Sequence, residues 1–167
     1  MPSGAVLAYP SLTQDLHHEA ELVVAIGVGG RNITAETAAS KIFGFACGND
    51  LTRRDLQTDA KSQRRPWDMS KAFDESAVIG TIVPGQSISP DAAIRCHVDG
   101  RRRQNAKIGD MTWPISDVIA ALSCYVALAA GDLIMTGTPA GVGPVAQGQS
   151  CRVEIEGLPE AEFRYTV

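Results

Sequence analysis

The stretch HHEAELVVAIG, residues 17–27, places two acidic side chains at the start of a run of apolar residues. Valine and isoleucine favour strands, and the glycine that ends the run is typical of a strand that stops in a turn. We therefore predict a buried strand from Glu19 to Val28. Burying an ionised carboxylate is unfavourable unless a cation or hydrogen-bond donors compensate its charge. A compensating group is therefore expected to face Glu19 and Glu21.

The spacing of these two acids predicts which way they point. Side chains at positions i and i+2 of a strand project from the same face, so Glu19 and Glu21 share one. Two carboxylates so placed raise each other's pKa unless a positive charge lies between them. Mg²⁺, Mn²⁺ and Ca²⁺ prefer hard oxygen ligands and would remove this conflict. The alternative is a solvent-exposed strand edge that binds nothing, and the E-x-E spacing alone fits both.

Two further polar features strengthen the metal hypothesis. Asp50 ends the next predicted strand, FGFACGND (residues 43–50), where regular backbone pairing stops and a side chain can reach into a cleft. Three carboxylates and several waters would complete the octahedral coordination that magnesium prefers. In the loop TGTPAGVG (residues 136–143), glycines let the backbone approach a ligand, and Thr138 offers a hydroxyl and an N–H. Ordinary turns remain the alternative for both segments.

The composition is that of an ordinary globular protein, with 44% hydrophobic and 20% charged residues among 167. Sixteen glycines and nine prolines favour a β-rich fold with many turns. A net charge of −4 argues against nucleic acid as the main partner. Four cysteines without C-x-x-C spacing are expected to be free, mostly buried thiols in a reducing cytoplasm. No apolar run is long enough to predict a membrane span.

Turn residues and hydrophobic patterning divide the rest of the chain into short elements. We expect an irregular lead-in over residues 1–16 and a short helix from Thr34 to Lys41 that ends at Gly44. Residues 51–74 are strongly charged and are predicted to begin as a helix and continue as a surface loop. A further helix with one apolar face should open at Pro114. Short β-segments are predicted at TIVPG (81–85), AAIRCHVDG (92–100) with an Asp99-Gly100 hairpin turn, AKIGD (106–110), SCRVEIEGL (150–158) and EFRYTV (162–167).

Four segments of the chain, in their order and spacing, resemble the fumarylacetoacetate hydrolase family. The resemblance runs from about Pro10 onward and is strongest to short members, namely acylpyruvate hydrolases, fumarylpyruvate hydrolases and oxaloacetate decarboxylases. It implies a β-rich α+β fold, the mixed β-roll of the family's C-terminal domain with a few short helices, usually assembled as a homodimer. The segments that carry it are HHEAELVVAIG (17–27), GNDLTRRDLQ (48–57), RPWDMSKAFD (65–74) and AAGDLIMTGTPAGVGP (129–144).

The resemblance also implies a site made of three metal-binding carboxylates, a lysine beside the metal, and polar side chains that contact the substrate. The metal is usually Mg²⁺ or Mn²⁺, and the lysine, as an ammonium, would stabilise negative charge that develops on a substrate oxygen. The implied residues are the metal ligands Glu19, Glu21 and Asp50, the catalytic and substrate-binding Lys71, and the substrate-binding Arg54, Gln57 and Thr138, with Asp55 in the same polar cluster.

The implied activity is metal-dependent hydrolysis of a C–C bond in a small acylpyruvate-type β-diketo acid such as fumarylpyruvate or acetylpyruvate. An oxaloacetate decarboxylase or isomerase on the same scaffold is an alternative, because a 2-oxo acid would be held in the same way. A non-catalytic, truncated metal-binding form is the third possibility.

The segment before the first motif bears on these alternatives. In the family, a His-Glu pair on a lid that precedes the first metal motif serves as the base. This chain begins eighteen residues before Glu19, so we expect residues 1–167 to form one catalytic domain that is truncated at its N-terminus and lacks the lid. His17 shares the predicted face of Glu19 and is a candidate replacement base, although a structural role is favoured. His18 should point to the opposite face, and His97 should be structural.

Overall fold

The computed structural model describes residues 1–167 and consists of short strands with four α-helices and two single 3₁₀ turns. The strands are β1 (Ala5–Leu7), β2 (Leu16–His18), β3 (Ala20–Ile26), β4 (Ile42–Asp50), β5 (Thr52–Arg53), β6 (Ala77–Ile79), β7 (Val83–Pro84), β8 (Ala93–Val98), β9 (Arg101–Lys107), β10 (Leu133–Met135), β11 (Gly143–Pro144), β12 (Ser150–Ile155) and β13 (Ala161–Tyr165). The helices are α1 (Ala35–Ala38), α2 (Arg54–Ser62), α3 (Asp68–Lys71) and α4 (Ile115–Tyr125), and the 3₁₀ turns are Ala39–Lys41 and Ile108–Asp110. This is the predicted β-rich α+β class.

Three sheets organise the chain. One has the order β1-β13-β12-β8-β9, the second has the order β10-β3-β4-β6 with β7 also paired to β4, and the third is β11-β2-β5. Every strand pair is antiparallel except β1 with β13, so the first sheet is mixed and the other two are antiparallel. The core lies between the two larger sheets, because β12 and β13 contact β4 and β8 contacts β3.

The run that follows the two glutamates is buried along its whole length. Strand β3 lies between β4 and β10, so each of its backbone edges is paired, and no residue from Ala20 to Ile26 is exposed. Leu22 and Val24 belong to the main core cluster, whereas Glu21 and Val23 project from the other face of the strand. Glu21 therefore lies on, and Glu19 directly before, a buried strand whose opposite face holds the core.

Most predicted elements are present. Asp99 and Gly100 both have positive φ (47° and 74°) in the turn between β8 and β9, as a tight hairpin requires. Helix α4 follows Pro114 and buries Ile119. The four cysteines are free, and three of them are buried while Cys124 is exposed, as predicted. No helix is both long enough and apolar enough to cross a lipid bilayer.

Three local predictions are wrong. The lead-in is not wholly irregular, because Ala5–Leu7 pairs with β13 at the sheet edge. Gly44 does not end the first helix but lies inside β4, where a Cβ would come within 2.2 Å of the Val83 carbonyl oxygen. The predicted β-segment at 106–110 leaves its strand after Lys107 and forms a 3₁₀ turn, closed by the Asp110 carboxylate accepting the Lys107 N–H.

Candidate metal and substrate site

Three acidic side chains converge at one end of the β3–β4 pair. Glu19 directly precedes β3, Glu21 is its second residue, and Asp50 is the last residue of β4. Because the two strands are antiparallel, with Glu21 opposite Gly48, the start of one strand meets the end of the other. One carboxylate oxygen from each of the three residues lies within 4.8 Å of the others. The structure therefore brings together the three predicted metal ligands.

Two cations face part of this cluster. The Lys71 ammonium, at the end of α3, donates to Glu19 Oε2 and Asp50 Oδ2, both at 2.6 Å. The Arg54 guanidinium, at the start of α2, donates to Glu19 Oε1. Glu19 is thus held by two cations and Asp50 by one. Lys71, which sequence analysis predicted to lie beside the metal, directly contacts two of the three carboxylates.

Glu21 has no cationic partner within hydrogen-bond distance. Its Oε2 accepts the Gly137 backbone N–H at 2.6 Å, and only 4% of the residue is exposed. Burial, reinforced by the neighbouring charges of Asp50 and Glu19, raises the pKa of Glu21 to about 7. The charge of this carboxylate is therefore the least compensated in the cluster.

The other two acids differ because their partners differ. Burial opposes ionisation of Glu19, but the hydrogen bonds from Lys71 and Arg54 outweigh it and lower the pKa of that carboxyl. For Asp50, burial outweighs the contribution of Lys71 and the pKa is raised. Three hard oxygen donors, one of them without a cation, are the donor set that Mg²⁺, Mn²⁺ or Ca²⁺ takes in proteins. These residues therefore fit a hard divalent cation.

The predicted substrate-binding residues of α2 lie beside this cluster. Arg54 Nη1 donates to Gln57 Oε1 at 2.6 Å, and Gln57 is almost fully buried. Asp55, in contrast, turns away from the carboxylates and accepts hydrogen bonds from the Thr13 hydroxyl (2.7 Å) and the Gln14 N–H (2.8 Å). Arg54 and Gln57 therefore border the cluster, while Asp55 fastens the start of α2 to the segment before β2.

Thr138 reaches the same region through the loop that follows β10. The preceding residue, Gly137, is the one that binds Glu21, so Thr138 lies at the edge of the carboxylate cluster. Its Oγ1 accepts a hydrogen bond from Gln104 Nε2 at 2.8 Å. A cavity of about 220 Å³ adjoins this loop, and Leu22 lines it. Gly137 and Thr138 line it as well, so the cavity reaches the loop that contacts Glu21.

The histidines divide as the sequence predicted. His18 is fully buried and bonds to Gln104 on the face away from Glu19, and burial lowers its pKa. His17 lies near the site, but its Nε2 is 2.9 Å from Asp15 Oδ1 and its Nδ1 accepts from Arg54 Nε at 3.4 Å. Since both ring nitrogens have partners, the arrangement favours a structural role for His17.

Sequence reasoning missed two buried amides that support the site. Asn49 accepts the Glu19 N–H through Oδ1 at 3.0 Å, and Gln104 accepts the Ala20 N–H through Oε1 at the same distance. Asn49 adjoins Asp50, and the sequence indicates nothing more for it than a possible turn. Gln104 lies in the polar run RRRQNAK (101–107), which carries no signal that one of its side chains would be 1% exposed.

Known proteins resemble this chain over almost its entire length. The sequence model of the protein family described as fumarylacetoacetate (FAA) hydrolase C-terminal matches residues 1–166. A fumarylpyruvate hydrolase of Ralstonia sp is 43% identical, over 95% of this chain and 83% of that protein. A mitochondrial oxaloacetate tautomerase of Oryza sativa subsp. japonica is 37% identical, over 96% of this chain and 72% of that protein.

A solved structure supports the same comparison. The fumarylpyruvate hydrolase of Pseudomonas aeruginosa, crystallised with Mn²⁺ and pyruvate, is 42% identical to this chain and superimposes with a TM-score of 0.94. The match covers all of this chain and 73% of that protein. The fold described above is therefore the fold of that enzyme's corresponding domain.

Proposed function

Because the chain belongs to the fumarylacetoacetate hydrolase family and is an enzyme of that family, we propose that it hydrolyses the C–C bond of small acylpyruvate-type β-diketo acids in a metal-dependent reaction. Fumarylpyruvate is the first substrate to test, because the relative from Ralstonia sp carries that name at 43% identity. The observation that carries the proposal is the convergence of three carboxylates with one ammonium contacting two of them.

Glu19, Glu21 and Asp50 would hold the cation, which would supply a Lewis acid that polarises the 2-oxo acid end of the substrate. Mg²⁺ or Mn²⁺ suits this donor set, and the structure from Pseudomonas aeruginosa contains Mn²⁺ with pyruvate. The charge of Glu21, the least compensated in the cluster, supports a cation at this position, because a buried anion with no directly bonded cation is otherwise costly.

The side chains around the carboxylates would perform the remaining tasks. In the hydrolysis, a water oxygen bonds to the distal carbonyl carbon, the C–C bond breaks, and its electron pair moves toward the 2-oxo oxygen. The Lys71 ammonium, already placed at the cluster, would stabilise that negative charge. Arg54 and Gln57 would border the substrate, and the Thr138 hydroxyl would donate to its carboxylate. The products are a carboxylic acid, which keeps the water oxygen, and pyruvate, whose methyl carbon takes the proton that the water loses.

A second candidate is isomerisation or decarboxylation of oxaloacetate. The relative from Oryza sativa, at 37% identity, is named an oxaloacetate tautomerase. Both reactions develop negative charge on the same 2-oxo oxygen, where Lys71 would act, and neither needs water to attack a carbonyl carbon. The residues described above serve either substrate, so substrate assays must separate the two functions.

The test follows absorbance of the enol form of acetylpyruvate, and then of fumarylpyruvate, with Mg²⁺ and with EDTA. We expect loss of absorbance that requires the metal and falls by about 10²-fold or more in Lys71→Met. Lys107→Met is the matched control, because Lys107 is an ion-paired lysine, 2.9 Å from Asp91, on the exposed surface. Turnover of oxaloacetate alone, above the metal-only background, would favour the second candidate.

If neither substrate reacts, calorimetry with Mg²⁺ and with oxalate decides whether the chain only binds metal. Binding without turnover would support the non-catalytic form, and absence of binding would refute the metal site itself. Assembly as a homodimer and a cytoplasmic location stay predictions, which sedimentation velocity and cell fractionation can check.

A further inference from the structure

Gln104 lies between the start of β3, which carries Glu21, and the loop of residues 136–143, here called the Thr138 loop. It lies in β9 opposite Cys96, where the β8–β9 register shifts, and it is 1% exposed. Its Oε1 accepts from His18 Nδ1 and from the Ala20 N–H, each at 3.0 Å. Its Nε2 donates to Thr138 Oγ1 and to the Pro139 carbonyl, each at 2.8 Å. An amide offers two donors and two acceptor sites, so its capacity is fully used.

These partners fix which end of the amide is oxygen. A backbone N–H can only donate, so the atom that faces Ala20 must be Oε1. A backbone carbonyl can only accept, so the atom that faces Pro139 must be Nε2. It follows that Thr138 Oγ1 accepts from the amide and that the hydrogen of its own hydroxyl points elsewhere. A hydroxyl that accepts such a bond is also a better donor, because hydrogen bonds in a chain polarise one another.

The same amide ties the Thr138 loop to the metal-binding segment. Ala20, which it holds, lies between Glu19 and Glu21 in the chain. The Gly137 N–H makes a second tie by donating to Glu21. The loop also packs directly on β9 at Gly141 (φ +101°), where a Cβ would lie 2.4 Å from the Arg103 carbonyl oxygen. The distance between Thr138 and the three carboxylates is thereby fixed.

We propose that Gln104 is a positioning residue, which orients the Thr138 hydroxyl as a hydrogen-bond donor to the carboxylate of a 2-oxo acid and holds it at a set distance from the metal-binding carboxylates. This proposal rests on the proposed function, in which Thr138 contacts that carboxylate. Gln104 itself does not touch the substrate. Its effect on substrate affinity should therefore pass entirely through Thr138.

The test is a double-mutant cycle on oxalate binding, measured by calorimetry with the Mn²⁺-loaded protein. Loss of one hydrogen bond to a charged acceptor weakens binding by about 10-fold to 100-fold. We expect Thr138→Val and Gln104→Met each to weaken the binding of oxalate by about 10-fold to 100-fold. The double variant should bind oxalate about as weakly as either single variant, because both changes remove the same oriented donor. Mn²⁺ affinity in the absence of oxalate should stay within about 3-fold of the unmodified chain.

Gln104→Glu provides a second, isosteric variant. Glutamate puts an oxygen where Nε2 donated to Thr138 Oγ1 and to the Pro139 carbonyl, and when ionised it repels that carbonyl and can only accept from the Thr138 hydroxyl. The hydroxyl would then no longer donate to the ligand, and oxalate binding should again weaken by at least about 10-fold. Unfolding curves check that each variant is folded. If neither Gln104 variant folds, the residue serves the core and the positioning role is refuted.

The outcomes separate this proposal from the proposed function. If the unmodified chain binds neither Mn²⁺ nor oxalate, the proposed function fails and the positioning role fails with it. Suppose instead that it binds both. If the losses of oxalate affinity in Thr138→Val and Gln104→Met multiply in the double variant, or if Gln104→Met leaves oxalate affinity unchanged, then Gln104 does not act through Thr138. In that case the metal-dependent function stands and only the positioning role is lost.

Discussion

Replacing Glu21 with glutamine should have opposite effects with and without a divalent cation. Glutamine has the same shape as glutamate, and its carbonyl oxygen can still accept the Gly137 N–H. What changes is one buried negative charge near the carboxylates of Glu19 and Asp50. Without metal this charge destabilises the folded chain, whereas with metal the carboxylate that carries it serves as a ligand.

The expected size follows from the pKa. In the folded chain the pKa of Glu21 is raised from 4.5 to about 7, and one pKa unit corresponds to about 1.4 kcal/mol. The ionised residue therefore costs the metal-free protein about 3 kcal/mol. Because the pKa of Glu21 is higher in the folded than in the unfolded chain, the folded state binds the proton more tightly. The stabilisation that this proton gives is fully present below pH 4.5 and is lost as the pH rises through about 7. In EDTA, the stability of the unmodified chain should fall between pH 5 and pH 8, and Glu21→Gln should lack this decline.

Mn²⁺ should reverse the order of stability. A ligand present at one thousand times its Kd stabilises the folded state by about 4.1 kcal/mol, which exceeds the cost of about 3 kcal/mol of the ionised Glu21 carboxylate. The unmodified chain should show this gain at pH 8, whereas Glu21→Gln, with one ligand charge removed, should gain almost nothing. Urea unfolding with EDTA and with Mn²⁺ measures both effects. Glu162→Gln, at an exposed position of β13, is the matched control and should behave like the unmodified chain. A Glu21→Gln variant that is destabilised in EDTA and still responds fully to Mn²⁺ would refute the reasoning.

Two further substitutions test the surroundings of the site. Burial raises the pKa of Asp55, but the hydrogen bonds that it accepts from the Gln14 N–H and the Thr13 hydroxyl outweigh this and lower the pKa below 3.8. Asp55→Asn should lower the free energy of unfolding by about 1 kcal/mol near pH 6, and the difference from the unmodified chain should shrink as the pH falls below 3.8 through the folded-state pKa. Urea unfolding that shows an equal difference at pH 6 and pH 3 would contradict this expectation. The guanidinium carbon of Arg53 lies 4.3 Å from the centroid of the Phe73 ring, two residues after Lys71. Arg53→Met should therefore lower the free energy of unfolding by about 1 kcal/mol, and a double-mutant cycle with Phe73→Leu that finds no coupling would exclude this contact as the cause.

Local patterns in the sequence were enough to predict many of the elements. Alternation along 150–158 and 162–167 predicted strands β12 and β13, and Asp99-Gly100 predicted the β8–β9 turn, because both features reflect geometry within a few residues. Predictions failed where a distant partner decides the conformation. Gly44 lies in an extended strand, and the Val83 carbonyl occupies the space where a side chain would begin, so the glycine serves a close approach between strands and not a helix end. No pattern near Gly44 reports that contact.

The candidate site shows the same division. The spacing of Glu19 and Glu21 determined that the two carboxylates share one face of a buried strand, since side chains alternate along any strand. That Lys71 reaches Glu19 from 52 residues away, and that Gln104 reaches Ala20 from 84 residues away, was decided by the tertiary structure. These contacts depend on the register between strands and on the packing of one sheet against another. The sequence by itself therefore determined the chemistry of the candidate ligands, and only the folded chain determined what holds them in place.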